Sequence, residues 1–372
     1  MLVTIVIVNY RVKYFLEQTL QSAMEAIDGI DGDGEIVVVD NNSGDGSMEF
    51  VKSRFGSAVT YIENTVNTGF ARANNQGIAI AKGEYTLMLN PDTIIGRGTI
   101  KACVEWMRSH GDCGAVGVRM LDGNGVFLPE SKRAFTTPWV SFCKIFGLSR
   151  LFPRSPLFAR YHLRYLPERE PHQVDILAGA FMMARTSILR SIGGFDEDFF
   201  MYGEDIDLSY RIVKAGYHNY FLPTPIIHYK GESTKKDSMR YVRVFYEAML
   251  IFYRKHYPGY SHFFSFVIHA AVYIRAAAAM LKRAIMAPFP KKKSGAGRLW
   301  QVISNDPEPI YSTLGADARL CALKPTDIVI DDRCHSYQQI IGIIDEKSDG
   351  RLRFHIYSGR DGIIISPKMA QA

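Results

Sequence analysis

Apolar residues fall along this chain in two rhythms. Thr4–Tyr10 (TIVIVNY) and Glu35–Ser43 (EIVVVDNNS) are near-continuous β-branched runs. Such runs predict parallel strands covered by helices on both faces, because neither face then needs polar residues. Between them, Tyr14–Ile27 has helical spacing. Val59–Asn64, a helix over Ala71–Ala81 and the run Tyr85–Thr93 continue the alternation. That is a βαβαβ start and predicts an open, mostly parallel sheet with flanking helices. Ligands of such sheets bind beyond the carboxyl ends of the strands. Polar residues gather at those ends here: Asn9, then Asp40, Asn41 and Asn42, then Asn90 and Asp92 around Pro91.

The rhythm loosens over Pro129–Pro171, rich in Pro, Arg and aromatics, which reads as a long loop region with some helix. Val174–Arg185 resumes as a buried strand, and Tyr220–Ser233 follows the acidic stretch Met201–Arg211 (MYGEDIDLSYR). Helical patterns then cover Ser238–Tyr257 and His262–Met286. Pro288–Gly297 is a linker by composition. Thr326–Asp332, Ser336–Glu346 and Leu352–Gly359 make a small strand–helix–strand unit. These segments suggest three regions: 1–233, a helical region 234–294, and a small α/β module 295–372 of unassigned role.

Composition changes this picture little, and charge changes it more. The 372 residues are 47% hydrophobic and 22% charged, an ordinary globular balance with room for two or three domains. The apolar opening lacks a basic lead and a cleavage site, so it reads as a strand and not a signal peptide. Five scattered cysteines argue for reduced thiols and against a zinc site. The net charge of +6 is concentrated: Ala248–Asn305 holds no acid and nine basic residues, leaving the rest of the chain slightly acidic. If His262–Met286 is helical, Phe263, Val267, Ile274, Leu281 and Ile285 share one face, and Arg275, Lys282 and Arg283 fall on another. With Lys291, Lys292 and Lys293 following, that is the pattern of a helix lying on an anionic membrane surface.

The chemistry narrows by exclusion. The first strand leads into NYRVKYF, without the Gly-x-Gly-x-x-Gly of a dinucleotide fold, and no P-loop lysine is present. Asp40 stands at a strand end before a turn of Asn, Ser and Gly, which suits either an Asx turn or contact with a base or ribose. Gly69, Arg72, Asn74 and Gly77 surround a helix start, which suits a cap or a phosphate. Asp92, with Asn90 beside it, suits a divalent cation that neutralises a departing diphosphate. In the acidic stretch, Glu204, Asp205 and Asp207 crowd a helix start, where they either cap the helix or handle a proton.

Six stretches in one order carry a family likeness: VIVNY, VVVDNNSGDGS, NTGFARANNQGI, LNPDT, GAFMMARTSILRSIGGFDEDFFMYGEDIDLSYR and IIHYKGES. Together they resemble family 2 glycosyltransferases of the GT-A fold, nearest the rhamnosyltransferase-like branch, over roughly Leu2–Ser233. One motif departs from the pattern, since Asn90 stands where an Asp-x-Asp-like site has its first acid. The resemblance implies an inverting transfer of rhamnose or a related sugar from a dTDP- or UDP-linked donor to a lipid-linked or cell-surface glycan. It implies Asp205 as catalytic base, with Glu204 orienting the acceptor and Asp207 serving as a cap or surface charge. Mg²⁺ or Mn²⁺ is expected on Asp92 and His228. The donor is expected against Asn9, Asp40, Asn42, Gly69, Arg72, Asn74, Asn90 and Gly179. A bacterial protein is expected at the inner face of the cytoplasmic membrane. Its partners would be donor, acceptor and membrane surface, with a homodimer compatible and nucleic acid not involved. The competing readings are a non-catalytic nucleotide-sugar-binding scaffold and a nucleotide-sugar oxidoreductase, the latter disfavoured by the missing glycine fingerprint.

Overall fold

The computed structural model describes residues 1–135, 137–145, 147–231, 239–260, 298–315, 318–321 and 324–367. Its larger sheet has nine strands: β1 Val3–Asn9, β2 Gly34–Asp40, β3 Thr60–Glu63, β4 Tyr85–Leu89, β5 Thr93–Ile94, β6 Cys113–Leu121, β7 His172–Val174, β8 Phe181–Arg185 and β9 His218–His228. They lie in the order β3-β2-β1-β4-β8-β6-β9-β5, with β7 also on β9. The β1–β2, β1–β4, β2–β3 and β6–β9 pairs are parallel, and β8 runs antiparallel between β4 and β6. All residues of β1, β4 and β6 are buried, as unbroken apolar runs require when helices cover both faces.

Helices α1 (Lys13–Ile27), α2 (Ser47–Phe55), α3 (Phe70–Ile80) and α4 (Thr99–Ser109) follow strands in the first half. The loop region Pro129–Pro171 holds α5 (Pro138–Ile145) and the single turn α6 (Leu148–Leu151). Helices α7 (Thr186–Ser191), α8 (Glu204–Lys214) and α9 (Met239–His256) come later. The α9 helix matches the expected Ser238–Tyr257, whereas the predicted His262–Met286 helix lies outside the described residues. Among the described residues no helix is long and apolar enough to cross a membrane.

Two predicted strands are broken, and both breaks face the site. The run Val174–Arg185 leaves the sheet after Val174 and rejoins it at Phe181. The crossing is satisfied by distant side chains: Ser209 accepts from the Leu177 amide at 3.2 Å, and Asn219 donates to the Asp175 carbonyl at 2.8 Å. The run Tyr85–Thr93 breaks at Asn90–Asp92, after which β5 pairs antiparallel with β9 in a register that sets Thr93 opposite His228.

The tail is larger than the predicted strand–helix–strand unit. Five strands, β10 Leu299–Ile303, β11 Arg319–Leu320, β12 Asp327–Asp331, β13 Arg353–Ser358 and β14 Ile363–Ile365, lie in the order β11-β10-β12-β13-β14, with only β14 antiparallel. The helix Tyr337–Lys347 starts with a capping box between Ser336 and Gln339. Its Tyr337, Ile340, Ile341 and Ile344 share one apolar cluster with Val12, Phe15, Ile94, Ile227 and Tyr229 of the first sheet's layers. The buried Arg119 guanidinium meets Asp345 at 2.9 Å, and the Tyr337 hydroxyl donates to Gln21 at 2.5 Å. The tail therefore completes a core that the nine-stranded sheet leaves uncovered behind β5 and β9. Ile341→Ala should lower unfolding free energy by about 2–5 kcal/mol. Urea unfolding followed by circular dichroism and by tryptophan fluorescence should give one shared transition, not an early separate loss of the tail.

Candidate active site

A cleft of about 310 Å³ opens at the carboxyl ends of β1 and β4, bounded by the end of β9, the crossing 175–180 and the start of α8. The β5–β9 register makes its first wall. With Thr93 opposite His228, Asp92 falls beside the imidazole, and the Tyr229 amide donates to the Asp92 carbonyl at 3.0 Å. Asp92 and His228 are both buried, with Oδ1 and Nε2 3.3 Å apart. The Asn90 Nδ2 stands 3.4 Å from the same imidazole nitrogen, and Asn90 Oδ1 has no partner among the described residues. A carboxylate, an imidazole and an amide thus converge on one spot. This donor set fits a divalent cation that takes its remaining ligands from a substrate. Among the described residues there is no group of three or more His, Cys, Asp or Glu for an all-protein cage.

The second wall is the start of α8. Its N-cap is Gly203, at φ 82°, which has no side chain with which to cap the helix. Among the first-turn acids, Asp205 does bond a helix amide, its Oδ1 accepting from the Ile206 N–H at 2.8 Å. Tyr202 is also left-handed, at φ 68°, an uncommon state for a residue with a side chain. These two residues turn the chain so that Glu204 and Asp205 both line the cleft. Asp205 Oδ2 accepts from Arg133 Nη2 at 2.5 Å and from the Gly179 amide at 3.3 Å. The same Arg133 nitrogen donates to the Leu177 carbonyl at 2.7 Å, so the buried guanidinium ties the crossing to α8. Burial alone would pull its proton off more easily, but the Asp205 charge more than offsets that and holds Arg133 cationic. A Cβ at Gly179 would lie 3.4 Å from Asp205 Cβ, an ordinary contact distance, and the glycine leaves that space to the cleft.

Glu204 differs from its neighbour. It is buried, and its Oε2 has no partner among the described residues. Burial, reinforced by the Asp205 charge, pushes its carboxyl up to about 8. Asp207 is neither cap nor surface charge, as the sequence suggested. It is fully buried and bonds Arg211 Nε and His256 Nε2, each at 2.6 Å, fastening α9 to α8.

Of the residues expected at the site, the cleft gathers Asn90, Asp92, Gly179, Glu204, Asp205 and His228. The remaining donor candidates do not line it. Asn9 is buried and donates to Asp40, Ser43 and Ser47, and Asp40 also accepts from the Ser43 amide and hydroxyl, so this pair holds a turn. Asn42 is exposed at φ 60°, and the Gly69 carbonyl accepts from Asn41. Arg72 points outward to Glu197 at 2.8 Å, and Asn74 bonds the Phe70 carbonyl one turn back in its own helix. Sequence reasoning missed Tyr10, Asn67 and Arg133, and the ion pair of Glu130 with Lys230, all in the cleft wall. Asn41, one of the polar residues at the end of β2, lines the cleft as well. Arg133 sits in a stretch without periodicity, and its backbone pairs with Ile176, far along the chain.

The model of glycosyl transferase family 2 matches residues 4–193. The chain belongs to this family. It is 28% identical over 238 residues to an N-acetylglucosaminyl-diphospho-decaprenol L-rhamnosyltransferase of Mycobacterium tuberculosis, covering 60% of this chain and 76% of that one. It is 27% identical over 225 residues to the rhamnosyltransferase WbbL of Escherichia coli K12, covering 57% and 79%. Among solved structures, S. aureus TarS 1–349 aligns with a TM-score of 0.44 at 18% identity, covering 68% of this chain and 64% of that one.

The raised Glu204 carboxyl has a stability consequence. The folded state holds a proton that the unfolded chain releases above about pH 4.5, so stability falls as pH rises from there to about 8. Glu204→Gln removes that loss. Its unfolding free energy relative to the parent should rise across this window, by at most about 1.4 kcal/mol per pH unit, and level off above it. Urea titrations at pH 5, 6.5 and 8 check this, and parallel curves would remove the buried proton.

Proposed function

We propose that this glycosyltransferase moves a sugar, rhamnose or a close relative, from a nucleoside-diphosphate donor to a hydroxyl of a lipid-linked glycan, with inversion at the anomeric carbon. The observation that carries this reading is the convergence in one cleft of the Asp92–His228 couple and the Arg133-held Asp205 carboxylate. The relatives' names supply the sugar and the lipid-linked acceptor.

Asp92 and His228 would hold Mg²⁺ or Mn²⁺, with the Asn90 amide oxygen close by; the bound cation supplies charge neutralisation for the departing diphosphate. The donor lies along the carboxyl edge between Asn41, Asn67 and Asn90. Asp205 takes the proton of the acceptor hydroxyl as its oxygen bonds the anomeric carbon. The anomeric bond to the diphosphate breaks, and its electron pair leaves with the diphosphate. Arg133 and the Gly179 amide fix the base in place. Glu204, protonated near neutral pH, donates a hydrogen bond that orients the acceptor. Ala178, Gly179 and Ala180 leave space for the sugar.

The acid-free region Ala248–Asn305 lies mostly outside the described residues, so its membrane reading rests on sequence alone. The site reading is tested by donor turnover across a panel of nucleotide sugars with Mn²⁺, Mg²⁺ or chelator. Transfer should require the metal. Asp92→Ala should abolish it, and His228→Ala should raise the metal concentration for half-maximal activity. Full activity in chelator would sink the metal site.

A further inference from the structure

Beyond Glu130 and Arg133, which reach the cleft, the loop region Pro129–Pro171 carries its own chemistry. From Ser131 to Pro167 it contains no Asp or Glu, while Lys132, Arg133, Lys144, Arg150, Arg154, Arg160 and Arg164 all fall there. Lys132 and Arg133 turn inward. Arg150, Arg154, Arg160 and Arg164 are exposed, and none makes an ion pair among the described residues.

Apolar side chains stand among these charges. Trp139, Leu151, Phe152 and Leu157 are 45%, 69%, 47% and 58% exposed. They are gathered on one patch. Phe158 lies 6.1 Å from Trp139 and 5.2 Å from Phe152, centroid to centroid, and the Trp139 indole donates to the Leu157 carbonyl at 3.1 Å. The indole hydrogen is thus satisfied while the ring stays exposed. Single exposed apolar residues are ordinary, but an aromatic cluster set in unpaired arginines is not.

We propose that Trp139, Leu151, Phe152 and Leu157, with Arg150, Arg154, Arg160 and Arg164, form a membrane-docking surface that seats the enzyme on anionic phospholipid. The occupant follows from charge and shape together. Unpaired guanidiniums suit phosphate headgroups, and Trp, Phe and Leu suit the boundary between headgroup and acyl chain, the pairing seen in interfacial segments. The position follows too. The Ala134 amide donates to the Tyr161 carbonyl at 3.2 Å, and Lys132 bonds the Leu163 and Leu166 carbonyls. The patch is therefore tied to Arg133, one residue from either contact, whose guanidinium holds Asp205. A lipid-linked acceptor would enter the cleft from the surface on which this patch rests. The inference builds on the acceptor reading above, but its own evidence is the patch.

The test is co-sedimentation of the full chain with vesicles of phosphatidylcholine alone and with one third phosphatidylglycerol, at low and high salt. The parent should bind the anionic vesicles and be released by salt. Each charge near an anionic surface is worth about fivefold in partition. Arg150→Gln with Arg154→Gln and Arg160→Gln should therefore weaken binding about a hundredfold, and Leu151→Glu with Phe152→Glu should weaken it at least as much. Both variants should keep the parent's melting temperature and its transfer to a short-chain, water-soluble acceptor. Binding that ignores lipid charge, variants that bind like the parent, or a patch that changes only self-association would each overturn the proposal. Vesicle binding by a parent that transfers no sugar to the soluble acceptor would instead overturn the catalytic reading and leave the surface standing.

Discussion

A guanidinium buried beside a carboxylate is costly unless its surroundings engage it, and Arg133 Nη2 is held by Asp205 and the Leu177 carbonyl while its buried Nε has no partner among the described residues. Arg133 needs the Leu177 carbonyl, which is available only because the chain leaves the sheet between Val174 and Phe181. Asp205 needs the Gly179 amide from the same departure. The turn into α8 uses left-handed residues at 202 and 203. One ion pair thus sets the floor of the cleft, the start of its helix and the inward path of the loop region.

The opposite wall depends on register. Slipping the β5–β9 pairing by one residue would send His228 to the other face and separate it from Asp92. The tail stabilises this edge from behind, since Ile94 and Ile227 of β5 and β9 belong to the cluster formed with Ile340, Ile341 and Ile344. The tail's contribution to the site is therefore support for a register. The Asp207–His256 contact does similar work for the other wall by fastening α9 beneath α8.

The strands of the first half were legible because unbroken β-branched runs have few other uses, and their polar ends pointed to Asn90 and Asp92. The break at residues 175–180 was not legible. Leu177–Phe181 stays apolar throughout, and the bonds that release it from the sheet come from Ser209 and Asn219, far along the chain. Arg72 and Asn74 looked like ligands because they open a helix, but helix phase turns one outward and the other onto its own backbone. Asp207 carried a usable signal in Arg211 four residues on, while its second partner, His256, lies 49 residues away. The β10 strand and the full tail sheet escaped because Leu299–Ile303 follows a basic, glycine-rich linker and is only half-buried.

The central claim is that the two walls divide the work, Asp92 and His228 serving the donor and Asp205 the acceptor proton. Asp205→Asn separates them most directly, since it keeps the shape and removes the proton acceptor. Calorimetric binding of Mn²⁺ and donor should match the parent, while single-turnover transfer in the same preparation falls by about 10²–10⁴-fold. Transfer near the parent rate, or loss of donor binding equal to the loss of transfer, would contradict the account.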